Sequence, residues 1–269
     1  MQKTIVITGA TDGIGLATTK MLLAEGHKVL MHGRNPQKLA DAAASLDADG
    51  QNTEQYIADL SDLSEVVKLA GDIAKKHCGI DVLINNAGIL KTQHTRTKDG
   101  LDVRFAVNTI APFILTKELL PLLGSDSRVV NVSSAAAAPV NLAGLAGEET
   151  YDNAMEAYSQ SKLAITMWTR SMASQAGNGD TVFVSVNPGS LLASKMVKEG
   201  FGIAGSDINI GADILCRAAL SEEFANVSGQ YYDNDSKRFA EPHADALNSA
   251  KVKAVVRKIE QIVSAALAK

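Results

Sequence analysis

The first strand-like run, Thr4-Ile5-Val6-Ile7-Thr8, passes without a linker into Gly9-Ala10-Thr11-Asp12-Gly13-Ile14-Gly15, and an apolar helical pattern (Ala17, Met21, Leu22) follows at once. No other feature limits the fold as strongly. A strand that breaks into a glycine-rich turn and then a helix opens a parallel βαβ unit. Its glycines let the backbone turn sharply, and the helix N-terminus offers unpaired N–H groups and a partial positive charge to an anion such as a pyrophosphate. The spacing departs from G-x-G-x-x-G, because three residues separate Gly9 from Gly13. The turn takes its weight from its place between a first strand and a helix.

The alternation continues along the chain. Strands are expected at 4–8, 28–31, 54–57, 82–85, 128–132, 181–186 and 230–232, and helices starting near Gly13, Pro36, Leu63, Lys98, Asn153 and Gly211. Several of these strands are near-continuous apolar runs, as strands covered on both faces are. Strand–helix alternation with right-handed crossovers predicts an α/β, doubly wound parallel sheet. No internal repeat or linker divides the chain, so one domain over 1–269 is expected. Two stretches break the pattern: 135–150, small-residue and irregular, and 189–207, whose Gly, Ser and apolar residues suit a substrate flap. A C-terminal helix is expected from about Asp245, where Val252, Val255, Val256, Ile259, Ile262, Val263 and Leu267 form one apolar stripe beside Lys251, Lys253, Arg257 and Lys258. The stripe is expected to pack on the body or on a second subunit, so a homo-oligomer is open; binding a membrane surface is the alternative.

Composition removes several function classes. The 269 residues carry a net charge of −4 with no long block of like charge, which gives no reason to expect nucleic acid. Cys78 and Cys216 are far apart and read as reduced thiols, and the five histidines are scattered, so no metal site is expected. The apolar run at the N-terminus is too short for a signal peptide, and no stretch reaches the roughly 20 apolar residues of a membrane span. A soluble cytoplasmic protein is therefore expected.

The end of the second strand bears on the cofactor. It reads His32-Gly33-Arg34-Asn35. An acidic side chain there would bond the adenosine ribose of NAD, whereas a cation accommodates the 2′-phosphate of NADP. Gly33 leaves room and Arg34 can make a forked, charge-assisted phosphate contact, so NADP(H) is favoured over NAD(H). Asp12, acidic and in the glycine turn near the same phosphate, pulls the other way.

Tyr158-Ser159-Gln160-Ser161-Lys162 falls in an expected helix, where residues four apart share a face. A tyrosine is a poor proton donor near neutral pH, with an unperturbed pKa of about 10, and a neighbouring ammonium favours its phenolate. Tyr56, Tyr151, Tyr231 and Tyr232 all lack a lysine at that offset.

Taken with its surroundings, this pair makes the chain resemble the short-chain dehydrogenase/reductase family over almost its whole length. The family's marks occur in order: Thr8 to Gly15, Asp59-Leu60, Asn85-Asn86-Ala87-Gly88, Asn108, Ser133-Ser134, Tyr158 with Lys162, and Pro188-Gly189. The resemblance implies a Rossmann-like three-layer αβα fold of about seven strands, with NADP across the C-terminal edge of the sheet. It implies catalytic roles for Asn108, Ser134, Tyr158 and Lys162. Tyr158 exchanges the proton of a carbonyl/alcohol substrate, Lys162 binds the nicotinamide ribose and lowers the tyrosine pKa, Ser134 polarises the substrate oxygen, and Asn108 holds a water linking Lys162 to solvent. Cofactor contacts are implied for Gly9, Thr11, Asp12, Gly13, Ile14, Gly15, Arg34, Asp59, Leu60, Asn86, Ala87, Gly88, Tyr158, Lys162, Pro188 and Gly189. Asn108 as a helix-bend residue and Ser133 in place of Ser134 stay open.

Two departures matter. Ser134 and Tyr158 lie further apart than in short members, so 135–157 carries an insertion, as in retinol-dehydrogenase-like and carbonyl-reductase-like members. Where many members place a threonine on the nicotinamide carboxamide this chain has Ala193, with Ser190 or Ser194 as substitutes. Leu191, Leu192, Met196, Val197, Phe201 and Ile203 make the flap apolar, with Leu142, Leu145 and Met155 in the insertion. They point to a hydrophobic carbonyl or alcohol substrate, or else simply to packing. The competing function is a cofactor-binding regulatory or scaffold protein on the same fold, since fold alone does not make an enzyme.

Overall fold

The computed structural model describes residues 1–47, 49–176 and 181–268. The strands are β1 (Thr4–Ile7), β2 (Lys28–Gly33), β3 (Thr53–Ile57), β4 (Ile80–Asn85), β5 (Leu123–Val132), β6 (Val182–Asn187), β7 (Tyr231–Asp233) and β8 (Arg238–Ala240). They form one sheet in the order β3-β2-β1-β4-β5-β6-β7-β8, parallel except for β8, which pairs antiparallel with β7. The helices are α1 (Gly13–Ala24), α2 (Pro36–Leu46), α3 (Leu63–Lys76), α4 (Val103–Phe105), α5 (Ala111–Leu119), α6 (Leu142–Leu145), α7 (Ala154–Gln175), α8 (Lys195–Phe201), α9 (Ile208–Leu220), α10 (Ala244–Leu247) and α11 (Ser249–Leu267). A π-helical segment, Ala106–Ile110, joins α4 to α5.

Residue parity along the strands builds the three layers, because successive side chains leave opposite faces. Val6, Leu30, Leu83, Val129 and Phe183 enter a core with Val66, Leu69, Ile114, Leu115, Leu163 and Met167. Their neighbours Ile5, Ile7, Val29, Val82, Ile84, Val130 and Val184 enter the opposite core with Leu22, Leu39, Ile214 and Leu215. Both faces are covered, which is why apolar residues run consecutively through the middle of these strands. Helix starts are fixed by capping side chains. Asp12 accepts from Gly13 N, Asn35 from Lys38 N with Pro36 following, Asp62 from Ser64 N, and Asn153 from Met155 N. Each such cap stabilises its helix by ~1 kcal/mol.

The expected fold is present, with local differences. The helix expected near Lys98 starts at Val103, because Gly100 takes a left-handed φ of 81° and Asp102 supplies the cap. Strand β5 begins at Leu123 rather than Arg128, and α9 at Ile208, capped by Asp207. The eighth strand was not expected: β8 is three residues long, bears Arg238, and follows a tight turn in which Lys237 has φ 54°. In α11, Val252, Val255 and Ile259 are buried, and Val256, Ile262 and Val263 pack against the same core, while Leu267 is exposed. The stripe therefore packs on the body. One helical run, Val103–Leu122, is long and apolar enough to cross a membrane by length and composition, which the sequence reading missed; 72% of its apolar window is buried inside the fold.

Strand order reverses beside β1, whose neighbours are β2 and β4. At such a switch point, in the crevice outside the carboxyl ends of the strands, doubly wound folds take ligands.

Candidate active site

The glycine turn lies in this crevice, held from two sides. Asn86, after β4, donates its Nδ2 to Thr8 O at 2.9 Å and Gly9 O at 3.2 Å, and Thr8 Oγ1 accepts from Asn86 N and Ala87 N, both at 3.0 Å. On the other side, Gly9 N donates to His32 Nδ1 at 3.3 Å, Ala10 N to His32 O at 2.9 Å, and His32 Nε2 meets Ala58 O at 3.0 Å. Burial pushes the His32 pKa down, opposed by its bond to Ala58 O and by the Asp59 charge. Close approach forces glycine at position 9. Its φ is 69°, and a Cβ there would sit 3.0 Å from Ala87 Cα and 3.2 Å from Asn86 Nδ2. The result is a tight glycine turn at the N-terminus of α1, a backbone arrangement suited to a dinucleotide phosphate.

Other expected contacts sort by geometry. Arg34 is exposed at the end of β2 and enters no ion pair among the described residues. The room above Gly33 is filled by Thr11, whose Cγ2 would lie 2.6 Å from a Cβ. Asp59 turns its carboxylate into its own loop, accepting from Ser61 N at 2.9 Å and Ser61 Oγ at 2.8 Å. The Leu60 side chain is buried in the same core as Leu63. Asn86 is spent on the glycine turn rather than presented toward an adenosine.

Tyr158, Lys162 and Ser134 meet on the other side of Gly88. Lys162 is buried in α7; its Nζ donates to Val132 O at 2.7 Å and lies 5.7 Å from the centroid of the Tyr158 ring. A Cβ on Gly88 would find Lys162 Nζ at 3.4 Å and Asn108 Oδ1 at 3.5 Å. The Ser134 hydroxyl lies near the phenol without a direct hydrogen bond to it, and accepts from Ala136 N at 3.1 Å. Ser133 is not: its hydroxyl bonds Lys162 O at 3.0 Å and Thr166 Oγ1 at 2.7 Å, tying β5 to α7. The phenol keeps a partly open edge but is surrounded by protein, and burial raises its pKa, with Ser134 acting oppositely. Burial also lowers Lys162, to about 8. The expected fall in the tyrosine pKa through Lys162 is thus reversed in direction here, since desolvation of the phenol dominates.

Asn108 sits in the π-helical segment, where a widened turn often marks a functional position. Its Oδ1 accepts from Ile89 N at 2.8 Å, and its Nδ2 donates to Ile89 O at 3.0 Å and Ser161 Oγ at 3.0 Å. The side chain thus pins the loop after β4 to α7 and has little capacity left for the expected water.

The flap and the insertion also divide. Leu192 and Val197 are buried and Leu145 lies in the core, whereas Leu191, Phe201 and Ile203 are exposed. The flap closes at its neck through Ala193 N→Ser206 O and Ser206 N→Leu191 O, at 2.7 and 2.8 Å. Pro188 O accepts from Asn234 Nδ2 at 2.9 Å, which holds the turn at Gly189 (φ 120°). Of the two substitutes for threonine, Ser190 is engaged by Asp235 through both N and Oγ, at 2.8 and 2.6 Å. Ser194 instead caps α8 beside the glycine turn, its Cβ 3.6 Å from where a Gly13 Cβ would lie. Three neighbours were not singled out from sequence: His32, Ser161, and Tyr231, whose hydroxyl donates to Ser134 O at 3.1 Å, while Met196, expected in the apolar flap, lies near Gly88. His32, beside the Gly33-Arg34 signal, and Ser161, inside the Tyr158-to-Lys162 motif, lay where a motif could have flagged them.

A family model for short chain dehydrogenase matches residues 3–204. The chain belongs to that family. Membership makes it an oxidoreductase acting on CH–OH groups. Among its relatives, human retinol dehydrogenase 13 is 30% identical over 274 residues, covering 90% of this chain and 80% of the relative. Among solved structures, an uncharacterised protein of Mycobacterium paratuberculosis superposes with a TM-score of 0.82 at 29% identity, covering 98% of this chain and 94% of that one. A second, NADPH-bound carbonyl reductase from chicken fatty liver, superposes with a TM-score of 0.69 at 24% identity, covering 89% and 99%, and shares the fold.

Proposed function

We propose that the chain is an NADP(H)-dependent carbonyl/alcohol oxidoreductase using Tyr158 as general acid/base on a hydrophobic substrate. The observation that carries this reading is the Ser134 hydroxyl beside the Tyr158 phenol, with the Lys162 ammonium beneath Gly88 and the glycine turn across the crevice. Bound there, the dinucleotide supplies or accepts a hydride at its nicotinamide. Gly9, Thr11, Asp12, Gly13, Ile14, Gly15, Ala87 and Gly88 would hold it, with Arg34 at the 2′-phosphate, the backbone of Asp59 and Leu60 at the adenine, and Pro188 and Gly189 near the nicotinamide.

Each side chain has a stated task. Tyr158 gives its phenolic proton to the oxygen of a carbonyl as that oxygen gains charge, and takes it back from an alcohol in reverse. Ser134 donates to the same oxygen and fixes its position. Lys162, a buried ammonium easily discharged near pH 8, opposes the phenolate's charge and exchanges its proton. Asn108 and Ser133 hold these groups in register.

Support for NADP(H) comes from exposed Arg34 and from the absence of an acid at the end of β2, and the carbonyl reductase neighbour was solved with NADPH. Support for an apolar substrate comes from Met196 against Gly88, from exposed Leu191, Phe201 and Ile203, and from a retinol dehydrogenase as a 30% identical relative. NADPH consumption over a panel of aldehydes, ketones, quinones and steroids, repeated with NADH, tests the proposal. Turnover with apolar carbonyls and a preference for NADPH is expected; tight NADPH binding without turnover on any of them would contradict it.

A further inference from the structure

Among the described residues, His32 is the buried ionisable side chain that bonds the glycine turn. It is 3% exposed. Two successive amides of the turn end on this residue: Gly9 N on the imidazole Nδ1, and Ala10 N on its carbonyl. The opposite ring nitrogen reaches Ala58 O, just before Asp59 at the end of β3. One ring therefore spans from the turn after β1 to the loop after β3.

The pattern dictates a tautomer. Gly9 N–H donates, so Nδ1 must be bare, and the proton sits on Nε2, where it is given to Ala58 O. Burial holds the ring in this neutral state, and Asp59 is the charged group acting on it in the opposite direction. The Gly9 amide is worth holding, because this residue has φ 69° and is hemmed in by Ala87 and Asn86. Asn86 secures the carbonyl side of the same turn through Thr8 O and Gly9 O. Without the imidazole acceptor, the amide side would have no side-chain partner.

We propose that His32 is a positioning residue for the dinucleotide site, setting the glycine turn through the Gly9 amide. This rests on the reading that the turn receives the dinucleotide. His32 touches neither substrate nor reacting atoms, so its effect is on cofactor affinity and not on the chemical step.

Two replacements separate the functions of the ring. His32→Asn keeps an acceptor at the δ position for Gly9 N–H and loses the ε donor, whereas His32→Gln keeps a donor at the ε position and loses the δ acceptor. Isothermal titration with NADPH, with kcat measured at saturating NADPH, reads both. The expected result is a loss of affinity of about tenfold in His32→Gln, the equivalent of one hydrogen bond. In His32→Asn the loss stays within about threefold, and kcat is held in both. Equal affinities in all three proteins, equal losses in both variants, or a fall in kcat at saturation would overturn the proposal. If His32→Gln fails to fold, His32→Asn still decides, since a large loss of NADPH affinity there is incompatible with the δ acceptor being the part that matters. Wild-type protein that binds neither NADPH nor NADH would overturn the dinucleotide reading itself, an outcome visible before any variant is compared.

Discussion

Replacing Lys162 by methionine should make the folded chain more stable at neutral pH while removing its activity. The ammonium is buried, and its pKa falls from 10.5 to about 8. The unfolded chain binds this proton more tightly, so the folded state carries a penalty that is complete below about pH 8 and is relieved as pH rises toward 10.5. At pH 7 the shift corresponds to ~3 kcal/mol, and at pH 9.5 only ~1.5 kcal/mol of it remains. Methionine fills similar volume but leaves Val132 O without its 2.7 Å donor, which offsets ~1–2 kcal/mol. The variant is therefore expected to be ~1–2 kcal/mol more stable than wild type at pH 7, with that advantage shrinking by ~2 kcal/mol at pH 9.5. Urea unfolding of both proteins at the two pH values reads this difference. An advantage of the variant that does not shrink between them would refute the assignment of a depressed lysine.

Three further outcomes follow from the geometry. Gly9→Ala places a Cβ at φ 69° against Ala87 and should lower stability by ~1–3 kcal/mol and weaken NADPH binding, seen in thermal unfolding and titration. Arg34→Ala should raise KM for NADPH by about tenfold or more and leave KM for NADH nearly unchanged, since a phosphate contact is lost from one cofactor alone. Arg104→Leu strands Asp102 in the core, where the two now form a buried bidentate pair through Nε at 2.8 Å and Nη2 at 2.5 Å; a loss of ~3–5 kcal/mol in urea unfolding is expected.

The strand–helix alternation was legible because both faces of the central sheet are buried, so β1, β2, β4 and β5 carry consecutive apolar residues. Strand β8 escaped notice because it is three residues long at the sheet edge and offers one inward apolar side chain, Phe239, which packs on Phe224 and Tyr232. Tyr158, Lys162, Ser134 and the glycine turn stood out because their side-chain chemistry or conformational freedom recurs in a fixed order. The roles of their supports did not. Asn86 was expected near an adenosine and Asn108 at a water; in the structure the Asn86 Nδ2 also holds Thr8 O and Gly9 O, and the Asn108 amide also holds Ile89 and Ser161. Partners of that kind depend on how loops from different strands come together, which spacing along the chain does not encode. The same holds for Leu145 and Leu192, apolar residues that suggested a substrate surface and lie instead in packed interior.

Tyr158→Phe tests the central claim most directly. The substitution removes one oxygen from a ring whose hydroxyl faces Ser134 and leaves the glycine turn untouched. Reduction of an apolar carbonyl accepted by the wild type should fall by a factor of about 10²–10⁴, the contribution of a positioned general acid, while NADPH affinity stays within about threefold. Turnover at the wild-type rate with NADPH bound normally would show that the proton comes from elsewhere.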